Sequence, residues 1–373
     1  MAVEQLPSCQ RAVQQGDDGK PYVANDANIP IIPPGYVLVK TTVVALNPSD
    51  YKILRNFPLP GCFTGVDLAG VVVKVGDNVD PKAFPPGMVV SGAVYAFTPE
   101  TRLLSGAFAE YALLGADLLL RVPPPSPGET PLMAQIRAAT LGTACATCIL
   151  SFWAPDALAL SGNPDIPDRS ETPIQVLVYG GSTATGTIAI QLLKFSGYDP
   201  IATCSPANFE LVRGRGASAV FDYTQLDVGA AIKRHTGGRL KYAMDCISDE
   251  ESVSICYEAI QRPGGRYVSL EHVADQHLAK RRAVRPTFVE AGETAGEGIR
   301  LGLEGYDRPA NMEKRALASR HVAMLQRLVD AGRLKTHPTE VLEGGLEGAV
   351  RGLEVLASGK VSGKKLVAVV SDQ

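Results

Sequence analysis

"VLVYGGSTATGTIAIQLLKFSGY", Val176 to Tyr198, is the stretch on which the reading of this chain turns. Val176–Tyr179 is the short apolar run of a strand buried on both faces. Gly180 and Gly181 make a turn, and the apolar spacing beyond them is helical. A tight turn feeding a helix N-terminus aims backbone N–H groups at an anion, as a dinucleotide pyrophosphate requires. The strict G-x-G-x-x-G spacing is absent; Gly180, Thr183 and Gly186 stand three residues apart. On this reading Gly180 makes the turn and Gly186 lets the helix pack closely. The hydroxyls of Ser182, Thr183 and Thr185 add donors for phosphate. An ordinary strand-to-helix turn capped by Ser182 would look the same in isolation.

The context favours the cofactor. Strands and helices alternate from residue 174 to 270, through "DPIATCS", "SAVFDY", "YAMDCI" and "GGRYVSL". That rhythm predicts an α/β, doubly wound parallel sheet with right-handed crossovers. Its second strand ends in "SPAN", Ser205, Pro206, Ala207 and Asn208, with no carboxylate before Glu210. An NAD-binding unit places an acidic residue about 20 positions after the glycines to hold the ribose 2′-hydroxyl. Its absence favours a 2′-phosphate, hence NADPH. Tyr223, closing the third strand, either lies near the adenine or packs at the sheet edge.

Upstream, "YVLVKTTVVAL", "LAGVVVKVGDNV", "GMVVSGAVYAF" and "GAFAEYALL" read as short strands of a β-rich domain. Residues 131–153 read as helix, 154–173 as a Pro-rich linker, and 271–311 as loop with short helical pieces. "NMEKRALASRHVAMLQRLVDAG" is an amphipathic helix and "KKLVAVV" a closing strand.

The 373 residues are 45% hydrophobic with a net charge of −3, so a large core is available and nucleic acid is not an expected partner. No apolar run approaches the ~18 residues of a spanning helix, and the opening "MAVEQLPSCQRAVQQ" lacks a secretory apolar stretch. A cytoplasmic protein without a membrane partner is expected. Seven dispersed cysteines argue for reduced thiols. Cys145 and Cys148 form a C-x-x-C, but they sit in an apolar helix-like run with no second pair. Helix packing is the favoured reading over redox or zinc chemistry.

With "VLVKTTVVALNPSDYKI", "GVDLAGVVVKVG", "GAFAEYALL" and "GKVSGKKLVAVV", the chain resembles the medium-chain dehydrogenase/reductase superfamily along nearly its whole length. Residues 179–223 are similar to the fungal trans-acting enoyl reductases that serve highly reducing polyketide synthases, as in the lovastatin pathway. The resemblance implies a GroES-like β-rich domain over 1–155, a Rossmann cofactor domain over 156–311, and a C-terminal return, 312–373. It implies cofactor contacts at Pro48, Ser49, Asp50 and Tyr51 beside the nicotinamide, and at Ser182, Thr183, Ala184 and Thr185 on the pyrophosphate. Ser205, Pro206, Ala207, Asn208 and Tyr223 would take the adenosine 2′-phosphate end, with Leu270, Glu271, Val361 and Ser362 completing the set. A substrate channel is implied along Gly142, Thr143, Ala144, Cys145, Ala146, Thr147, Cys148 and Ile149. Its other wall would be Ala291, Gly292, Glu293, Thr294 and Ala295.

The zinc-dependent branch of that superfamily has a Cys or His before an Asp, then "GHE". Here Asn47-Pro48-Ser49-Asp50 and Gly65-Val66-Asp67 stand in those places, and all five histidines lie beyond residue 234. No catalytic zinc is expected. Reduction of an activated C=C needs hydride at Cβ, donors for the resulting enolate and a proton at Cα. Lys52 is the candidate to orient a thioester or supply that proton; otherwise it is a surface lysine beside Tyr51. "HLAKRRAVR" offers Lys280, Arg281, Arg282 and Arg285 either to an acidic carrier domain or simply to solvent. The implied partner is a highly reducing polyketide synthase, or a synthase–peptide synthetase hybrid, met through its acyl carrier domain. The lovastatin-type resemblance implies a monomer, whereas the superfamily at large favours dimers. The alternatives are a stand-alone quinone or 2-alkenal reductase, and a non-catalytic, crystallin-like NADPH-binding protein.

Overall fold

The structure, a computed structural model, describes residues 6–371. The first five residues of the opening stretch read above as lacking a signal lie outside the described residues. In chain order the elements begin β1 (Gln10–Gln15), β2 (Pro21–Ala27), β3 (Tyr36–Ala45), α1 (Pro48–Asn56), β4 (Asp67–Val75), β5 (Val89–Ala93), α2 (Pro99–Arg102), β6 (Tyr111–Gly115) and β7 (Leu120–Arg121). Next come α3 (Pro131–Ala138), α4 (Gly142–Trp153), β8 (Gln175–Tyr179), α5 (Ala184–Phe195), β9 (Asp199–Cys204), α6 (Phe209–Gly214), β10 (Ala219–Asp222), α7 (Val228–His235) and β11 (Tyr242–Asp245). The chain ends with α8 (Glu250–Ala259), β12 (Gly265–Ser269), α9 (Asp275–Leu278), β13 (Val284–Phe288), α10 (Met312–Asp330), β14 (Thr339–Leu342), α11 (Gly345–Ala357) and β15 (Lys365–Val369).

Two compact units result: residues through Thr143 together with Gly292 onward, and Ala144–Ala291. The divisions fall earlier than the boundaries expected at 155/156 and 311/312. Helix α4 begins at Gly142, so the first division falls within its first turn. The segment after Ala291 belongs with α10, through the Glu293–Lys314 ion pair at 2.7 Å.

The second unit is a six-stranded sheet in the order β10-β9-β8-β11-β12-β13, every pair parallel. That is the doubly wound order 3-2-1-4-5-6. Val176, Leu177 and Val178 at its centre are fully buried, as a strand covered on both faces demands. Strand β13 corrects the reading of 271–311 as loop with short helical pieces. "VRPTF" has little apolar signature because it is an edge strand, where Pro286 needs no ladder N–H on its open side.

The first unit holds a seven-stranded sheet, β14-β15-β3-β4-β5-β7, with β6 also paired to β3. Ten-residue β3 serves three partners: its first half pairs with β6, its last residues with β15, and its other edge with β4. Leu346, Ala349 and Leu353 of α11 join Leu46, Leu68, Phe108 and Leu366 in the core beneath.

The single helix expected over 131–153 is two. Thr130 caps α3 with Pro131 in its first turn, and the chain turns at 139–141 before α4. By length and hydropathy this stretch passes as a membrane span, against expectation, yet 83% of its apolar window is buried inside the protein. Core helices have that property.

Gly65 sits at φ +86°, and a Cβ there would lie 2.2 Å from the Phe108 ring. Gly65→Ala combines left-handed strain with overpacking, so urea denaturation should register a loss of about 2–4 kcal/mol.

Candidate functional site

In the second unit the sequence-predicted cofactor residues converge on one edge. The turn after β8, Ser205–Asn208 after β9, Tyr223 after β10 and Leu270–Glu271 after β12 all lie at carboxyl ends of parallel strands. Ligands of open α/β sheets bind there. Gly180 takes φ +78°, and its N–H donates to Thr203 Oγ1 at 3.1 Å. Thr183, not Ser182, is the N-cap of α5; its Oγ1 accepts from the Gly186 N–H at 2.9 Å. A Cβ on Gly186 would stand 2.4 Å from the Gly180 carbonyl oxygen. The turn is therefore closed to side chains from within. Ser182, Thr183, Ala184 and Thr185 remain half-buried at the helix N-terminus. This is a cradle suited to pyrophosphate.

Beyond β9, the Asn208 side chain donates to Ser205 Oγ at 3.0 Å, while Pro206 and Ala207 are exposed. Glu210 is turned to Arg213 at 3.2 Å. Tyr223 is 39% exposed, with its ring 6.4 Å from that of buried Tyr179. Sequence reasoning missed the part of Asp245. Its buried carboxylate accepts from the N–H groups of Ile247 and Ser248, from Ser252 Oγ and from Tyr267 Oη. Ser248 Oγ in turn accepts from the Leu270 N–H at 2.8 Å. Asp245 thus ties the loop after β11 to the end of β12.

In the first unit, Asn47 and Asp50 form a capping box at the start of α1, with Pro48 in the first turn. Pro48 is exposed, and Ser49, Tyr51 and Lys52 are half-buried. Asp50 points the other way: it is 2% exposed and accepts from the Asn47 N–H at 2.6 Å. Burial pushes its carboxyl up to about 7, with Asp67 adding to the rise and Lys365 opposing it. A cavity of about 30 Å³ lies beside it, shared with Arg102 and Cys62.

The surprise is Lys365. It is 4% exposed and donates to Asn47 Oδ1 at 2.8 Å and to Asp67 Oδ2 at 2.5 Å. Asp67, fully buried, also accepts from Asn47 Nδ2 at 3.0 Å. Its Oδ1 accepts from the N–H and the hydroxyl of Thr143, at 2.7 and 2.8 Å. The signal available in the sequence was a lysine entering an apolar strand. Of the proposed C-terminal contacts, Val361 is half-buried against the core and Ser362 is exposed.

The two proposed substrate-lining segments are mostly interior. Gly142 and Thr143 keep partial exposure, whereas Ala144, Cys145, Ala146, Thr147, Cys148 and Ile149 are all at most 5% exposed. Burial raises the Cys148 thiol well above its ordinary range, and neither cysteine of the C-x-x-C is in a disulfide. Ala291, Gly292, Glu293, Thr294 and Ala295 are buried; a Cβ on Gly292 would meet the Phe97 ring at 2.4 Å. The basic cluster is divided too. Arg281 caps the end of α8 through the carbonyls of Tyr257, Ile260 and Gln261, and Lys280 pairs with Glu250. Arg282 and Arg285 stay exposed.

Residues 33–124 match the family profile described as alcohol dehydrogenase GroES-like domain, and residues 184–281 match zinc-binding dehydrogenase. The trans-enoyl reductase TwmE of Talaromyces wortmannii is 62% identical over 369 residues, covering 98% of this chain and 99% of its own. The trans-enoyl reductase poxP of Penicillium oxalicum is 41% identical over 371 residues, 99% of this chain and 95% of its own. This chain belongs to the trans-enoyl reductases of the medium-chain dehydrogenase/reductase superfamily. It is an oxidoreductase of a family that uses a nicotinamide cofactor. Among solved structures, a putative zinc-dependent alcohol dehydrogenase from Rhizobium etli shares the fold of this reductase. The TM-score is 0.74 at 23% identity, over 98% of this chain and 99% of that one. A quinone oxidoreductase from Coxiella burnetii gives 0.67 at 22%, over 97% and 99%.

The profile's description brings a metal with it, and the reductase's residues do not fit one. Among the described residues no group of three His, Cys, Asp or Glu side chains could hold an ion. The carboxylate and amide at the matching motifs are already engaged by the Lys365 ammonium.

Because the folded state holds Asp50 near 7 against an ordinary 3.8, it binds the extra proton between those values. Stability therefore falls as pH rises from about 4 to about 7. Asp50→Asn should flatten that fall in thermal melts and raise stability at pH 8 by about 2–4 kcal/mol.

Proposed function

We propose that this trans-enoyl reductase uses NADPH to reduce the α,β-unsaturated thioester of a polyketide chain held on the acyl carrier domain of a partner synthase. The reaction would take place in the cytoplasm, without metal. The observation that carries the cofactor preference is the end of β9, where Ser205 and Asn208 offer donors and the nearby carboxylate, Glu210, is paired with Arg213. A 2′-phosphate would meet hydrogen-bond donors there rather than a negative charge.

The cofactor would supply a hydride at Cβ. The chain's own residues would do the rest. N–H groups and hydroxyls of Ser182, Thr183 and Thr185 would hold the pyrophosphate, and Tyr223 the adenine end. Pro48, Ser49, Tyr51, Leu270, Glu271, Val361 and Ser362 would border the nicotinamide side. Asp50, buried and engaged, would act through the position of α1. Lys52, half-buried on another face of the same helix, would donate toward the thioester oxygen or return a proton to Cα. Gly142 and Thr143 would be the exposed end of the substrate wall. The GroES-like and cofactor domains would then follow the two compact units rather than the 155/156 and 311/312 boundaries.

Two variants test this with carrier-bound enoyl thioesters. Wild type should favour NADPH over NADH by about tenfold or more in kcat/KM, and Ser205→Asp should erase most of that preference. Lys52→Ala should lower kcat about 100-fold with little change in NADPH affinity. Equal use of both cofactors, or turnover only on small free quinones, would contradict the proposal.

A further inference from the structure

A buried ammonium stands among the residues where a zinc-dependent relative would carry its ligands. The strand register shows how it gets there. Pairing Val367 with Ala45 and Ala368 with Val44, antiparallel β15 and β3 bring Lys365 opposite Asn47 when the ladder is continued. Pairing Ala45 with Asp67 brings the start of β4 alongside. Lys365 therefore meets Asn47 and Asp67 by backbone geometry, and both contacts are hydrogen bonds of 2.8 Å or less.

Asp67 passes this placement on. Its second oxygen takes both donors of Thr143 in the first turn of α4, a carboxylate cap supplied from a distant strand. The approach requires a glycine, since a Cβ on Gly142 would lie 2.6 Å from Asp67 Oδ1. The Thr143 hydroxyl donates to Asp67, so its oxygen keeps only acceptor capacity for other groups.

We infer that Lys365 is a positioning residue, a protein-borne cation in the place of a metal, which through Asp67 fixes the first turn of α4 and through Asn47 the start of α1. This rests on the enoyl reductase reading only in that those two helix starts are the proposed substrate and nicotinamide walls. No zinc is needed, because the Asp67 charge is already compensated.

The test uses full-length Lys365→Met and the double variant Lys365→Met/Asp67→Asn. They are compared with wild type by metal analysis, melting, amide exchange over residues 142–148, NADPH affinity and turnover. The single variant leaves a buried carboxylate unpaired and should melt lower; if it fails to fold, the double variant carries the comparison. The double variant has neither charge and should regain most of the melting temperature. An amide offers one acceptor oxygen where the carboxylate offered two. Residues 142–148 should then exchange about tenfold faster, and kcat should stay about tenfold down with NADPH affinity within about twofold of wild type. Recovery of both exchange protection and kcat in the double variant would overturn the positioning role, and so would one zinc per chain in purified wild type. Absence of enoyl turnover in wild type would sink the functional reading instead, leaving the exchange result to decide on Lys365.

Discussion

A carboxylate that water cannot reach organises one half of this molecule. Asp67 gathers four donors from three remote parts of the chain: Lys365, Asn47 and both donors of Thr143. Removing one partner from such a buried pair alone costs about 3–5 kcal/mol, because the remaining charge has no solvent. Strand β3 sits between the segments that supply these groups and pairs with β4, β6 and β15. The long return of the chain to the first sheet thus has a chemical purpose, for it delivers the cation.

The second unit solves a different problem with neutral groups. The turn after β8 is made by backbone shape: Gly180 left-handed, Gly186 against a carbonyl, Thr183 closing the cap. Where sterics require a missing side chain the sequence keeps glycine. At the half-buried start of α5 it carries Ser and Thr hydroxyls. The Asp245 hub performs the equivalent of Asp67 for this unit, spending its lone pairs on the loop after β11, on Ser252 of α8 and on Tyr267 so that the strand ends keep their spacing.

The doubly wound sheet was legible because buried parallel strands read as apolar runs between amphipathic helices, as in "VLVYG" and "YAMDCI". The β1–β2 hairpin, β13, β14 and α11 were not read. "QRAVQQ" and "VRPTF" carry polar or proline residues that only their tertiary partners accommodate. The break between α3 and α4 escaped because Ala139–Leu141 is as apolar as the helices around it. The strand–turn–helix at 176–195 was legible, but its cap is Thr183, one residue later than Ser182. The Lys365 cluster was invisible for a simpler reason. Its members are separated by 20 to 318 residues, and no local pattern encodes antiparallel register between such distant strands. The substrate wall that the family resemblance implies at 144–149 and 291–295 falls on residues that are buried in the fold.

Deuterium transfer is the most direct measurement of the central claim. Carrier-bound enoyl thioester would be incubated with the metal-stripped protein and NADPH deuterated at its transferable position, and the product analysed by mass spectrometry. The account predicts one deuterium at Cβ and a solvent-derived proton at Cα, unaffected by chelator. Saturation without label at Cβ, or transfer that appears only when zinc is restored, would contradict it.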